Sequence, residues 1–296
     1  MQSFEPTNED ITRYYATAID ALYEIGRAYY TLGKLGDAQH LLRTALPLLE
    51  ACEVNPKSRL KFFLLYGQVL LVDHVLTHGG GDTTLLFSTM LNAKQVAEAS
   101  HEKLGIADAL SLLGQAHYFT NVLSGVVMDN PQSGKYNEAL TYQQQALELR
   151  ETLHDTRGIS ESTFQIGVIY ERWQLYDRAE EFYTKARQIA EESGHPFEKT
   201  EPTRHFAIHA LMKGNLDEAL SLALQTLELR EAARFRHYEP LDHLLLRDIY
   251  QAKGDTANAQ LHEQKASAIA KAMGYPMLVS SMPNIRERLA ARQEEA

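Results

Sequence analysis

Long apolar runs are missing from this sequence. No stretch approaches the roughly 20 consecutive apolar residues that a bilayer-spanning helix needs, so no membrane partner is expected. Cysteine is nearly missing too. Cys52 stands alone among 296 residues, which excludes an internal disulfide and any Cys-rich zinc module and leaves a small buried helical side chain as the expectation. The N-terminus, MQSFEPTNEDITRYY, lacks the basic start and apolar core of a secretory signal, so a cytoplasmic chain is expected. Positive charge is in deficit, with 29 Lys and Arg against 39 Asp and Glu and a net charge of −10. Such a field repels phosphate backbones and argues against nucleic acid as a partner. The densest basic cluster, REAARFRH from Arg230 to His237, reads as a solvated helix end whose cations complement the dipole. Strand signals are lacking as well, since there is neither sustained alternation nor a hairpin dipeptide.

What the sequence does contain is a repeat. GKYNEAL, YDRAEEF, NLDEALS and DTANAQL place alanines at 139, 179, 219 and 259, each forty residues after the last. Ala146, Ala186, Thr226 and Ala266 follow seven residues behind. Short words recur too, as ALELRE at 146–151 and LELREA at 227–232. A fixed period in this range means a solenoid or array.

Each unit carries two helical patterns. In the fourth, Phe164, Ile166, Ile169, Tyr170 and Trp173 recur at the three- and four-residue steps of a buried helix, and Ala179, Phe182, Tyr183, Ala186, Ile189 and Ala190 form one stripe of a second. Glycine in KGN (213–215) and KGD (253–255) suits a left-handed helix end. Asn215 or Asp217, and Asp255, then stand where the next helix wants a cap. TNEDITRYYATAIDALYEIGRAYYTLG predicts a long first helix with acids in its first turn.

These residues resemble the tetratricopeptide repeat. Leu22, Ile25, Gly26 and Tyr29 lead to Ala38, Leu42 and Ala45, and Thr163, Ile166, Gly167 and Tyr170 lead to Ala179, Tyr183 and Ala186. Phe63, Tyr66, Gly67 and Leu70, and likewise Leu110, Leu113, Gly114 and His117, match the first half. Ala207 and Arg247 replace the glycine in the fifth and sixth units, and no unit keeps the usual closing proline. The forty-residue step is similar to the longer variety found in kinesin light chains and bacterial MalT-type regulators. The resemblance implies an all-α fold, a right-handed α-solenoid of about six helix-turn-helix repeats. The expected boundaries are 1–275 for the solenoid, with insertions near 78–84 and 122–134, and 276–296 for a linker and C-terminal capping helix.

One stretch looks like chemistry. DHVLTHGGGD (73–82) holds His74 and His78 four apart, and HFAIH (205–209) repeats that spacing. Paired histidines on one helical face are able to share an ion, and a metal-dependent enzyme built on them is the remote alternative. Asp73 or Asp82 is able to add a ligand to the first pair, but the HExxH pattern is absent and a zinc site needs three protein ligands if catalytic and four if structural, so no metal or cofactor is expected. HGGG without a nucleophile elbow or a preceding strand is no oxyanion loop. The reading that remains for 73–82 is a helix end. In the third unit the extra residues fall in VLSGVVMDNPQSGKY, where Val122, Val126, Val127 and Met128 suggest either a helix that runs on over a neighbour or a lid beside the groove.

The resemblance also implies a concave groove lined by first helices. Carried over residue by residue, its inward positions are Tyr23, Arg27 and Tyr30; Leu64, Gln68 and Leu71; Ser111, Gln115 and Tyr118; Phe164, Val168 and Glu171; Arg204, Ile208 and Leu211; and Leu244, Asp248 and Gln251. The Lys and Asn pairs with which chaperone-binding relatives hold a C-terminal carboxylate are absent, being replaced by Tyr23 with Arg27, Leu64 with Gln68 and Ser111 with Gln115. The expectation is a non-catalytic scaffold or adaptor for a protein or peptide partner. The alternative is a sensor of a peptide or small ligand that acts through another protein. Exposed solenoid faces also admit a homodimer.

Overall fold

The computed structural model describes residues 7–50, 54–126, 129–282 and 284. Thirteen α-helices lie among them, and the first twelve form six successive antiparallel pairs. These are α1 (Asn8–Thr31) with α2 (Leu35–Ala45), α3 (Pro56–Leu76) with α4 (Thr83–Ala99), and α5 (Lys103–Leu123) with α6 (Asn137–Leu153). They continue with α7 (Thr156–Arg172) and α8 (Tyr176–Glu192), α9 (Pro196–Lys213) and α10 (Leu216–Ala232), and α11 (Glu239–Ala252) and α12 (Thr256–Ala272). The short α13 (Leu278–Ser281) follows. The fold is an all-α solenoid. Among the described residues no helix is long and apolar enough to cross a membrane. Cys52 and residues 285–296, which hold most of the expected capping helix, lie outside the described residues.

The repeated Gly and Ala positions set how closely each pair packs. A Cβ on Gly167 would lie 2.7 Å from the Tyr183 ring, and one on Gly114 2.7 Å from Gln143 Nε2. In the fifth unit Ala223 stands where Tyr183 stands in the fourth, so the partner helix tolerates Ala207 in place of glycine, and both are buried. Helix ends also follow their residues. Thr7 and Asp10 form a reciprocal capping box on α1, and Gly214 and Gly254 adopt φ of 81° and 77°. Asp255 caps α12 through the Asn258 N–H. Asn215 departs from expectation, because its side chain turns to Glu218 rather than to a backbone N–H.

The recurring word LELRE, at 147–151 and 227–231, has a structural cause that differs from the sequence reading. Arg230 is not a solvated helix end, since it is only 2 % exposed. Its guanidinium donates to Asp242 Oδ1 at 3.0 Å and to Glu201 Oε1 at 2.6 Å. Arg150, the matching residue in the third unit, is equally buried and donates to Ser162 Oγ, the Gly158 carbonyl and Asp108. Planar guanidinium donors satisfied on several sides suit an inter-repeat joint. The third-unit insertion also differs from a helix running on. α5 stops at Leu123, a short 3-10 turn spans Pro131–Ser133, and the Asp129 N–H donates to the Arg172 carbonyl at 2.9 Å. The Tyr136 hydroxyl bonds the Val126 carbonyl. Val127 and Met128 lie outside the described residues.

The chain then returns on itself. Met273 and Leu278 share one apolar core with Ile19, Phe62 and Leu71. Tyr30 packs 4.3 Å from the His237 ring and 6.2 Å from the Phe235 ring, centroid to centroid. The Tyr275 hydroxyl donates to Asp73 Oδ1 at 2.7 Å. The sixth repeat therefore closes against the first and second.

Candidate functional site

The stretch at 73–82 is a helix end. His78 takes the left-handed conformation with φ of 54°, and Gly79 and Gly81 continue it at 85° and 86°. His74 is buried with Nδ1 3.0 Å from the Gly80 carbonyl. Asp82 caps α4 by accepting from the Leu85 N–H at 2.9 Å. Asp73, whose outer oxygen receives Tyr275, is a docking point for the returning chain.

The curvature leaves a cavity of about 420 Å³ at the centre of the concave side. Seven of the inward positions expected from the repeat line it: Gln115 and Tyr118 from α5, Phe164, Val168 and Glu171 from α7, and Arg204 and Ile208 from α9. The other eleven are elsewhere. Leu71, Ser111, Leu211, Leu244 and Asp248 are buried in packing between helices, and Tyr30 is taken up in the closing seam. Tyr23 and Leu64 are half-buried against the N-terminal core. Arg27, Gln68 and Gln251 are exposed; Arg27 pairs with Glu24, and Gln251 accepts from Asn284.

Residues that the repeat pattern does not indicate complete the wall. Val75 and His78 come from the end of the second unit, Leu123 and Gly125 from the third-unit insertion, and Tyr238, Leu241, Ser281 and Met282 from the returning chain. Their presence depends on closure, which no local pattern encodes. Arg172 and His205 also line the cavity. His205 was visible in the sequence only as half of a four-residue histidine pair.

One carboxylate organises the cavity wall. Glu171 Oε2 accepts from the Tyr183 hydroxyl at 2.8 Å, from His205 Nδ1 at 2.9 Å and from His209 Nε2 at 3.0 Å. Arg172 donates to Oε1 at 2.8 Å. Burial alone would raise this carboxyl, but the charge and hydrogen bonds of His205, the His209 bond and Arg172 outweigh it and hold the group well below the usual carboxylate range. His209 faces carboxylate oxygens with both ring nitrogens, because its Nδ1 lies 3.0 Å from Glu180 Oε1. Only the doubly protonated ring donates on both sides, and the two carboxylates raise its pKa against the opposing effect of burial. Lys213 completes the chain with a 2.6 Å bond to Glu180. His205 and His209 are thus spent on a protein carboxylate, and among the described residues no His, Cys, Asp and Glu group is disposed to hold a metal.

The chain Glu171–His209–Glu180 passes through the wall of the solenoid. Its outer end opens into a second, shallower groove of about 810 Å³ between α8 and α10, floored by Phe206, Ala210 and Leu222. Arg204 is the cavity's other cation. Its Nε lies 3.3 Å from Asp242 Oδ1, an oxygen that already accepts from Arg230.

Comparison with known proteins agrees with the fold. The family model of the tetratricopeptide repeat matches residues 131–192, the end of the third-unit insertion with α6, α7 and α8. No curated protein matches the sequence. Among solved structures, the apo form of RapI is 15% identical with a TM-score of 0.55, covering 93% of this chain and 98% of that one. A Rap protein complexed with competence and sporulation factor is 13% identical with a TM-score of 0.58, covering 93% and 74%. PH0952 from Pyrococcus horikoshii, a signal transduction ATPase with a tetratricopeptide repeat sensor, is 13% identical with a TM-score of 0.52. It matches over 90% of this chain but only 39% of its own length. At these identities the likeness is one of fold.

Proposed function

From an all-α solenoid whose residues 131–192 match the tetratricopeptide repeat, we propose that the protein is a non-catalytic scaffold that holds a protein or peptide partner on its concave side, with an apolar side chain of the partner seated in the central cavity. One observation carries this reading: seven inward residues from three successive first helices converge on a single cavity. Phe164, Val168, Ile208, Leu241 and Met282 offer apolar surface, while Gln115 and Arg204 offer polar groups that fix orientation. A helix about 10 Å across would fill about 420 Å³ in roughly one turn. The space therefore suits anchoring side chains of an extended segment better than a helix lying along the groove.

The test is a selection of binding peptides from a random library against the wild-type protein, followed by titration against Ile208→Trp. The indole fills the cavity from α9. Peptides that use the cavity are expected to lose about tenfold or more in affinity, as anchors in desolvated pockets do. Binders that tolerate the tryptophan without loss sink the reading.

A second reading, a sensor that acts through another protein, draws on the Glu171–His209–Glu180 chain. A ligand that pulls on Glu171 from the cavity changes what holds Glu180 in the outer groove. The solved Rap protein complexed with competence and sporulation factor, alike in fold, supports the idea that such a solenoid holds another molecule.

A further inference from the structure

The outer face of α1 carries an apolar stripe that no other described residue covers. Ile11, Tyr14, Ala18, Ala21, Ile25, Ala28 and Leu32 follow one another at alternating steps of three and four residues, and all seven are exposed. The large ones are conspicuously so, with Ile11 at 44%, Tyr14 at 50%, Ile25 at 45% and Leu32 at 64%. The opposite face, Ile19, Gly26 and Tyr30, is the one that packs on the solenoid. A mean step of 3.5 residues is the seam of a two-helix coiled coil rather than the wider stripe of a surface helix.

We infer that this stripe is a dimerisation seam in which α1 pairs antiparallel with α1 of a second copy of the chain. The seam fits itself. In an antiparallel pair each position of one heptad class faces the other class across the seam. One register sets Ile11 against Ala28 of the other copy, Tyr14 against Ile25, and Ala18 against Ala21. Large residues meet small or apolar ones in the outer layers, and the central alanines let the helices approach closely. The flanking residues select the same register. It places Asp10 beside Thr31 of the other copy and Thr17 beside Glu24. Sliding by one heptad in one direction brings Glu24 against Glu24, and in the other brings Asp10 against Glu24. Both put like charges together. A parallel pair stacks three Ala–Ala layers and one Tyr–Tyr layer, a much less even fit. Asp10 and Glu24 are already paired within the helix to Arg13 and Arg27, at 2.6 Å each, so the seam buries no uncompensated charge.

The two-fold pairing is isologous, as homodimers require. A helix of 24 residues is about 36 Å long. Such a seam buries on the order of 1,000 Å², near the lower limit for a specific interface, so a dimer with Kd of about 1–100 μM is expected.

Sedimentation equilibrium of the full chain between about 1 and 500 μM tests this. Wild type is expected to pass from monomer to dimer within that range. Ile25→Glu changes an exposed residue, so the monomer keeps its helicity, and it should weaken dimerisation about tenfold or more. The register has its own test. Thr17→Lys, facing Glu24 of the other copy, should tighten the dimer several-fold, and Thr17→Glu should weaken it by a similar factor. A wild type that stays monomeric to the top of the range overturns the seam, as does a dimer indifferent to Ile25→Glu. A dimer lost in Ile25→Glu but equally stable with Lys or Glu at 17 overturns this register.

Discussion

Two regions bury histidine, and they do so in opposite charge states. In the wall between the fourth and fifth repeats, His209 sits between Glu171 and Glu180 and is held protonated. In the returning chain His237 is buried against the Tyr30 ring with a bond to the Tyr30 backbone, and among the described residues no carboxylate acts on it. Burial pushes it down to about 4. His243, facing His262 at 3.0 Å, is likewise pushed down to about 4, first by burial and then by the electrostatic influence of His262 and Lys265. The residue type is the same, and the difference lies in whether a carboxylate accompanies it out of water. The cavity wall holds its histidine in a charged, hydrogen-bonded hub, whereas the closing seam packs its histidine in the neutral form.

The largest expected effect breaks the hub. Glu171→Gln leaves Arg172 and the paired histidines around a neutral amide, and removing one member of a buried ionic cluster costs about 3–5 kcal/mol. Urea unfolding should register it, and a loss under 1 kcal/mol would mean that solvent already screens the cluster.

Next comes pH, with opposite signs for the two regions. His209 has a raised pKa, so its contribution is complete below the unfolded value of about 6.5 and is lost as pH rises through its folded value. His237 has a depressed pKa. Its neutral form costs nothing above about 6.5, and stability falls as pH drops from there toward 4, by about 3 kcal/mol once both values are passed. His237→Gln retains a donor for the Tyr30 carbonyl and should flatten most of that acid-side loss. An unchanged pH profile in this variant would place the sensitivity in His243 and His262 instead.

The smallest effect concerns closure alone. Tyr275→Phe removes the bond to Asp73 and should cost about 1 kcal/mol. It should leave the Glu171 hub unchanged while increasing hydrogen exchange in 273–282. Equal exchange there would show that the apolar contacts of Met273 and Leu278 close the solenoid without the hydroxyl.

The repeat register was legible because it is local. Gly167 and Tyr183 lie within one helix pair, and their mutual fit recurs at a fixed step. The cavity was half legible, for a related reason. The inward side of each first helix follows from the motif, so Phe164, Val168 and Ile208 were found. Tyr238, Leu241 and Met282 were not, because they arrive by curvature summed over six repeats. Arg230 was misread because its partners, Glu201 and Asp242, belong to other helices. The repeated word LELRE was the available signal, since a surface cation has no reason to recur at a fixed place. His205 and His209 showed a ligand-like spacing, but the group they share, Glu171, is supplied by the preceding repeat.

The most direct test of concave binding is photo-crosslinking with a peptide selected against the wild-type protein. A benzophenone amino acid replaces Gln165, which lines the cavity, or Gln188, which lines the outer groove. Crosslinking from 165 and not from 188, abolished by Ile208→Trp, is the predicted result. Crosslinking from 188 alone would contradict the account and move the binding site to the outer face.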